Sequence, residues 1–396
     1  MSGKLSYKHT IFACYAGYIT QAIVNNLSPL LFVIFRDTFD LPLSEITLLI
    51  TINFLIQLCV DCLSAVFVDK IGYRKCIVAA HVFAVAGLAS LAILPFIMPP
   101  FAGLLVSVFL YAVGGGLIEV LISPIVEACP TDNKASVMSL LHSFYCWGTV
   151  AVILLSTLFL TLAGRENWRI LALLWAVFPL VNAVFFTKVP IAPLTEEGEG
   201  MKTRELFKSG LFWIFVVLMV AAGASEQAMS QWASAFAELG LGVSKTVGDL
   251  AGPCMFSILM GASRVFYAKA SEKIDLLGFI IGSGVLCIAA YLIASLSPNP
   301  VLSLVGCALC GLSVGVLWPG VFSIASSGFP KGGTAMFAYL ALAGDLGCSG
   351  GPTLVGFVSG LVGDNLKTGI LAGIVFPLIL VVCALIYKKK TSSKTN

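Results

Sequence analysis

Three acidic residues lie inside long apolar stretches of the sequence, where an ionisable side chain is costly. Glu119, Glu226 and Asp345 each fall near the centre of such a stretch. A charge in hydrocarbon costs at least ~2.5–3.5 kcal/mol, so residues of this kind face protein or water and usually have a function. Burial disfavours the charged form of a carboxyl, which lets it bind and release a proton near neutral pH. The pattern predicts ion coupling at these three positions, by proton or by sodium, and the sequence leaves both ions open.

Two short polar stripes repeat at an offset of 206 residues. In each stripe the polar residues are spaced i, i+4, i+7, which places them on one helix face. The first stripe is Gln21, Asn25 and Ser28, and the second is Gln227, Gln231 and Ser234. Amide groups at matched positions are typical of a site that binds a hydroxyl-rich solute.

Nine residues are candidates for solute binding, because amides pair with hydroxyls and tryptophan rings stack on the apolar face of a sugar. They are Gln21, Asn25, Asn26, His142, Trp147, Gln227, Gln231, Trp232 and Trp318. For His142 and the tryptophans the competing interpretation is a packing role between helices.

The amino-acid composition predicts the kind of secondary structure that positions these residues. Hydrophobic residues make up 59% of the 396 residues and charged residues only 11%, against roughly 25% charged in soluble domains. A soluble enzyme, a nucleic-acid-binding protein and a disulfide scaffold are therefore excluded. Because the apolar residues come in long blocks and not in alternation, the sequence predicts an all-α polytopic membrane protein.

Twelve apolar segments are long enough to cross ~30 Å of hydrocarbon. Breaks at proline, glycine and charge clusters place the predicted helices at 10–35, 44–68, 76–97, 102–128, 134–163, 168–188, 210–238, 246–270, 276–296, 301–328, 333–361 and 365–387. An even number of spans puts both termini on one side of the membrane.

Lysine and arginine concentrate in the connections on the side of the termini, which predicts that this side is cytoplasmic. We found no cleavable signal pattern and no glycosylation acceptor in a predicted outside loop, which favours a bacterial inner membrane. The Cys307-x-x-Cys310 pair lies within a predicted span and is interpreted as packing. No metal or other cofactor is expected.

The segment 189–209 is the longest polar stretch between predicted helices. It divides the chain into an N-terminal six-helix bundle at 1–188 and a C-terminal six-helix bundle at 210–396, which ends in a short basic tail. With the repeated stripes, this division predicts two related halves and a cytoplasmic linker. Such internal repeats are typical of secondary transporters.

The connection after the second predicted helix resembles a known signature. It reads Ala65-Val-Phe-Val-Asp69-Lys70-Ile-Gly72-Tyr-Arg74-Lys75, similar to the Gly-x-x-x-Asp-(Arg/Lys)-x-Gly-x-(Arg/Lys)-(Arg/Lys) loop of the major facilitator superfamily. The resemblance implies two pseudo-twofold-related six-helix bundles, a central cavity lined by helices 1, 4, 7 and 10, and alternating access. Five residues are predicted to form a gating network near the cytoplasmic side: Asp61, Asp69, Arg74, Lys75 and Glu127.

Within the superfamily, three segments resemble the fucose permease group of sugar symporters. They are Asn25-Asn26-Leu27, Gly116-Leu-Ile-Glu119 and Glu226-Gln-Ala-Met-Ser-Gln-Trp232. In that group the glutamate that Glu119 matches takes part in proton coupling. The helix-1 aspartate of the group has no match in Leu27-Ser28-Pro29.

The expected function is cation-coupled uptake of a small neutral polar solute, such as a sugar, across a lipid bilayer. The alternative is an exporter of amphipathic or cationic compounds. A membrane enzyme is disfavoured, because the sequence has no metal-ligand cluster, nucleotide loop or nucleophile–base pair. We expect a monomer that binds no nucleic acid.

Overall fold

The computed structural model describes residues 5–131, 134–192, 203–270, 274–329 and 333–392. The described part is helical and contains no β-strand. The chain forms two compact units, Met1–Glu196 and Glu197–Asn396, here called unit 1 and unit 2. Part of the predicted linker, 193–202, lies outside the described residues.

Unit 1 contains six long helices. They are α1 (Tyr7–Phe39), α2 (Leu43–Ile71), α3 (Tyr73–Leu91), α4 (Pro100–Ala128), α5 (Lys134–Ala163) and α6 (Trp168–Lys188). α3 packs on α4 and α6, α1 packs on α5 and α4, and α2 packs on α4. A Cβ atom at Gly114 would lie 2.6 Å from the carbonyl oxygen of Ala80. The small residue therefore lets α4 approach the α3 backbone closely.

Unit 2 contains the remaining helices, several of which are interrupted. They are α7 (Thr203–Lys208), α8 (Gly210–Ser230), α9 (Ala233–Ala235), α10 (Lys245–Asp249), α11 (Met255–Ala270), α12 (Leu276–Leu296), α13 (Pro300–Val314), α14 (Leu317–Gly328), α15 (Gly333–Leu361), α16 (Leu366–Ala372) and α17 (Val375–Ser392). π-helical turns at Phe236–Gly240 and Leu250–Cys254 flank α10.

The interruptions differ from the continuous helices predicted at 301–328 and 365–387, and each of these two breaks lies four residues before a proline. Pro319 has no N–H to donate to the carbonyl of Gly315, and the helix breaks between α13 and α14 at that carbonyl. Arg264 Nε donates to it instead, at 3.0 Å. In the same way Pro377 cannot donate to Gly373, where α16 ends.

In the described part of the chain, eleven helical segments are long and apolar enough to cross a membrane. They correspond to eleven of the twelve predicted spans. The twelfth, predicted at 333–361, is α15, which has 29 residues but is rich in glycine and carries Asp345. α15 packs along α8, and a Cβ atom at Gly347 would lie 2.1 Å from the carbonyl oxygen of Val220.

Candidate functional site: buried polar networks in each unit

A chain of side-chain hydrogen bonds joins α1, α2 and α4 in unit 1. Gln21 Nε2 donates to Glu119 Oε2 at 3.0 Å and to Gln57 Oε1 at 3.1 Å. Gln57 Nε2 in turn donates to Asn25 Oδ1 at 2.9 Å. Gln21, Gln57 and Asn25 are all buried. We call these four residues the amide–carboxylate network.

The network forms because each helix presents a polar residue to the same point. Gln21 and Asn25 are four residues apart on α1 and share a face. Gly115 of α4 faces them, since a Cβ atom there would lie 3.1 Å from Gln21 Oε1. The glycine therefore makes room for the Gln21 amide beside α4.

Two buried oxygens near this network make no hydrogen bond to any residue that the structure describes. They are Gln21 Oε1 and Asn53 Oδ1. Asn53 is one turn before Gln57 on α2 and is 5% exposed. A buried acceptor without a partner costs about 1–3 kcal/mol, so these oxygens are suited to accept a hydrogen bond from a ligand or from a rearranged side chain.

The other predicted solute-binding residues of unit 1 lie in separate surroundings. Asn26 Nδ2 donates to Thr149 Oγ1 at 3.2 Å and to the Ala22 carbonyl at 2.9 Å, which ties α1 to α5. The ring of His142 lies 5.3 Å from that of Tyr18, and His142 is exposed. Trp147 is 49% exposed.

In unit 2 the matching stripe bonds mainly along its own helix. Gln231 Nε2 donates to Gln227 Oε1 at 3.1 Å, and Gln227 Nε2 donates to Glu226 Oε1 at 3.3 Å. Arg264 Nη2 of α11 lies 3.8 Å from Glu226 Oε2. The structure therefore gives Glu226 a cationic neighbour.

Ser234, the last residue of the second stripe, belongs to a buried ion-pair cluster. Lys245 Nζ lies 2.9 Å from Asp249 Oδ2, and both side chains are less than 10% exposed. Ser234 Oγ donates to Asp249 Oδ1 at 2.5 Å, and Lys245 Nζ lies 3.3 Å from Ser234 Oγ. π-helical turns such as those flanking Lys245 and Asp249 are frequent at functional sites.

The two predicted tryptophans of unit 2 pack against α15. Trp232 is fully buried, and its indole N–H donates to the carbonyl of Pro352 at 2.9 Å, which is typical of a core tryptophan. The ring of Trp318 lies against the backbone of Gly344, where a Cβ atom would be 2.2 Å away. The neighbouring Asp345 is half-buried.

The structure describes the side chains of four of the five predicted gating residues. Arg74 Nη1 donates to the carbonyls of Phe186 and Thr187 at the end of α6, at 2.8 and 3.2 Å. Lys75 and Glu127 are exposed, and Asp61 is half-buried. The side chain of Asp69 lies outside the described residues. Gly72 has φ +95°, a conformation that favours glycine and that permits the sharp turn from α2 into α3.

Sequence reasoning did not identify Gln57, Arg264 or the Lys245–Asp249 pair as members of these networks. A signal existed for Gln57, because Asn53, Gln57 and Asp61 recur four residues apart along α2, which places them on one helix face. Within the described residues, no group of three or more histidine, cysteine or acidic side chains is placed to hold a metal ion.

Comparison with known proteins identifies the family. The family model of the Major Facilitator Superfamily matches residues 13–352. The chain belongs to the major facilitator superfamily. Its fold is therefore the all-α, twelve-helix fold of these membrane transporters, as the sequence predicted.

Solved structures of the superfamily share this fold at low sequence identity. The fucose:proton symporter FucP of E. coli is similar with a TM-score of 0.67 and 16% identity, over 96% of this chain and 99% of that one. A D-xylose-proton symporter is similar with a TM-score of 0.74 and 14% identity, over 95% of each chain. A bacterial homologue of the human lysosomal transporter Spinster has a TM-score of 0.71 and 14% identity, over 99% and 98%.

A curated relative is the membrane protein MosC of Rhizobium meliloti. It is 24% identical over 271 residues, which are 68% of this chain. The chain spans 65% of the length of that relative. Family membership and the apolar helices make this chain a multi-pass membrane protein of that superfamily.

Proposed function

We propose that this transporter couples the uptake of a small neutral polar solute, such as a sugar, to a cation by alternating access. The observation that carries the proposal is the amide–carboxylate network, which links Glu119 to amides on two other helices. The likeness to two sugar:proton symporters supports the same class of solute, although it extends only to the fold.

Glu119 is the coupling carboxylate in this proposal. As a carboxylate it is only an acceptor, and it receives a hydrogen of the Gln21 amide. Both hydrogens of that amide are in use, one toward Glu119 and one toward Gln57. A proton on Glu119 Oε2 turns that oxygen into a donor, and the group of Gln21 that can accept it is Oε1.

In this proposal, protonation of Glu119 at Oε2 causes the Gln21 amide to rotate. The rotation breaks the bond from Gln21 to Gln57 and, with it, the orientation in which Gln57 donates to Asn25. The cation thus controls which donors and acceptors the helices offer to the solute. Glu226 and Asp345 are secondary candidates for the same role.

The charges of unit 2 also favour a neutral solute. Two cations of unit 2, Arg264 and Lys245, each lie beside a carboxylate, at 3.8 and 2.9 Å. Their charges are balanced within the protein, which leaves the amides as the natural partners of hydroxyl groups. Basic connections on the side of both termini support a cytoplasmic location for the termini, in a bacterial inner membrane.

The test uses the purified protein in proteoliposomes. A thermal-shift screen of sugars and polyols beside cationic compounds, with and without sodium, first selects the solute. We expect Glu119→Gln to lose uptake driven by a proton or sodium gradient and to retain solute counterflow, because binding and exchange do not require the coupling charge. Glu166→Gln, which changes an exposed glutamate after α5, is the matched control.

Concentrative uptake at the normal level in Glu119→Gln would refute the coupling role. Binding and gradient-driven efflux of cationic compounds, without response to sugars, would favour the exporter instead.

A further inference from the structure

A long apolar groove runs along the outer side of α6 in unit 1. Its volume is about 620 Å³, and Ala16 of α1 is one of its lining residues. On α6 the lining extends from Leu174 to Lys188. At 1.5 Å per residue these 14 steps span about 21 Å, more than the ~15 Å of one leaflet of the hydrocarbon core.

The walls of the groove consist of side chains that the protein leaves uncovered. Leu174, Val177, Val181 and Val184 are each 50% exposed or more and recur at helical spacing along one face of α6. Two polar groups of the lining are already engaged. Asn182 Nδ2 bonds to the Ala13 carbonyl at 3.1 Å and lies 2.9 Å from His81 Nε2, and the indole N–H of Trp175 donates to Ser156 Oγ at 2.9 Å. The groove is therefore apolar and is long enough to hold a lipid acyl chain.

One end of the groove is positively charged. Lys188 lines it at the end of α6. Arg74 lies at the same end, because it donates to the carbonyls of Phe186 and Thr187, the two residues before Lys188. Both side chains are exposed, and a lysine at a helix end reaches to the level of the lipid headgroups. Basic clusters at this depth bind anionic headgroups.

From this geometry we infer that the groove between α1 and α6 is a binding site for one anionic phospholipid, with an acyl chain along α6 and the phosphate beside Lys188 and Arg74. The apolar groove should bind a lipid more tightly than a soluble anion. The two cations should bind an acidic headgroup more tightly than a zwitterionic one. The positive-inside distribution places the charged end in the cytoplasmic leaflet.

The test measures binding of phosphatidylglycerol and phosphatidylcholine to the purified protein by native mass spectrometry, as the ratio of their dissociation constants. We expect wild type to prefer phosphatidylglycerol, and Lys188→Gln to lower this preference about fivefold, the factor that corresponds to ~1 kcal/mol for one basic residue. Lys389→Gln, the same charge change on the exposed end of α17, should leave the preference unchanged.

A second variant tests the apolar groove. Val181→Trp obstructs the groove and should weaken binding of both lipids, whereas Leu158→Trp, at an exposed position of α5, should not. The inference is overturned if the preference survives in Lys188→Gln, if Lys389→Gln lowers it equally, or if Val181→Trp binds both lipids as wild type does. Association of a second copy of the chain in place of lipid would overturn it as well.

Discussion

The hydrogen bond between Gln21 and Gln57 connects α1 to α2 within the amide–carboxylate network, and its contribution to stability can be measured. Gln57→Leu keeps a similar side-chain volume but removes the acceptor of Gln21 and the donor to Asn25. Gln21→Leu removes the donor to both Gln57 and Glu119. Each single change leaves buried polar groups without one partner, at about 1–3 kcal/mol for each group.

The double variant removes both sides of the Gln21–Gln57 bond, so its cost should be smaller than the sum of the single costs. Hydrogen bonds between membrane helices contribute on average ~0.6 and at most ~1.7 kcal/mol. Since both amides are buried, we expect a coupling energy of ~1 kcal/mol in the free energy of unfolding. The assay is a denaturation titration of all four proteins in mixed micelles.

The matched control cycle combines Gln21→Leu with Asn182→Leu. Asn182 binds to the carbonyl of Ala13, which lies eight residues or about 12 Å before Gln21 along α1. Sites this far apart without shared partners should be additive within ~0.3–0.5 kcal/mol. If the stability losses of Gln21→Leu and Gln57→Leu were additive, the two amides would not interact. The proposed rearrangement through Gln57 would then be refuted.

Two further predictions concern unit 2. Lys245→Met should lower the free energy of unfolding by ~3–5 kcal/mol, because it leaves Asp249 buried without its cation, and adding Asp249→Leu should recover part of the loss. Equal stability of the single and double variants would contradict this. Gly347→Ala should lower the melting temperature, because its Cβ atom would lie 2.1 Å from the Val220 carbonyl oxygen, whereas Gly350→Ala has no atom within 4 Å to meet. Equal melting temperatures would contradict close packing at Gly347.

Helix positions were predictable where an apolar run ends at a charge, a proline or a glycine. The predicted segments 168–188, 276–296 and 333–361 coincide with α6, α12 and α15. The local sequence determines these ends, because charged and helix-breaking residues do not continue into hydrocarbon.

The interruptions of unit 2 were not predictable, because proline alone does not decide them. Pro29, Pro124 and Pro179 lie inside α1, α4 and α6, which remain continuous. The break before Pro319 comes with a contact from a distant helix, since Arg264 donates to the Gly315 carbonyl. Such contacts depend on packing that no local pattern encodes.

The candidate site was predictable only in part, because some of its contacts depend on packing between helices. The repeat identified Gln21 and Asn25 as one face of a helix, which needs only the helical period. The hydrogen bonds of these two residues with Gln57 depend on how α1 is positioned along α2, which the local sequence does not determine. The pair Lys245–Asp249 has the i, i+4 spacing of a surface ion pair, and only the fold shows that it is buried.

The two repeated stripes form hydrogen bonds with different partners, and this difference bears on the proposed site of ion coupling. In unit 1, Gln21 bonds to residues of α2 and α4, so a change at Glu119 alters how three helices hold together. In unit 2, Gln227 bonds to Glu226 and Gln231 of the same segment, so a change at Glu226 acts mainly on its contact with Arg264. Bonds within one helix are insensitive to the positions of other helices, whereas bonds between helices form or break when helices move. Glu119 is connected through Gln21 to both α1 and α2, whereas the contact of Glu226 with Arg264 reaches one other helix. This difference favours Glu119 over Glu226 as the proposed coupling carboxylate.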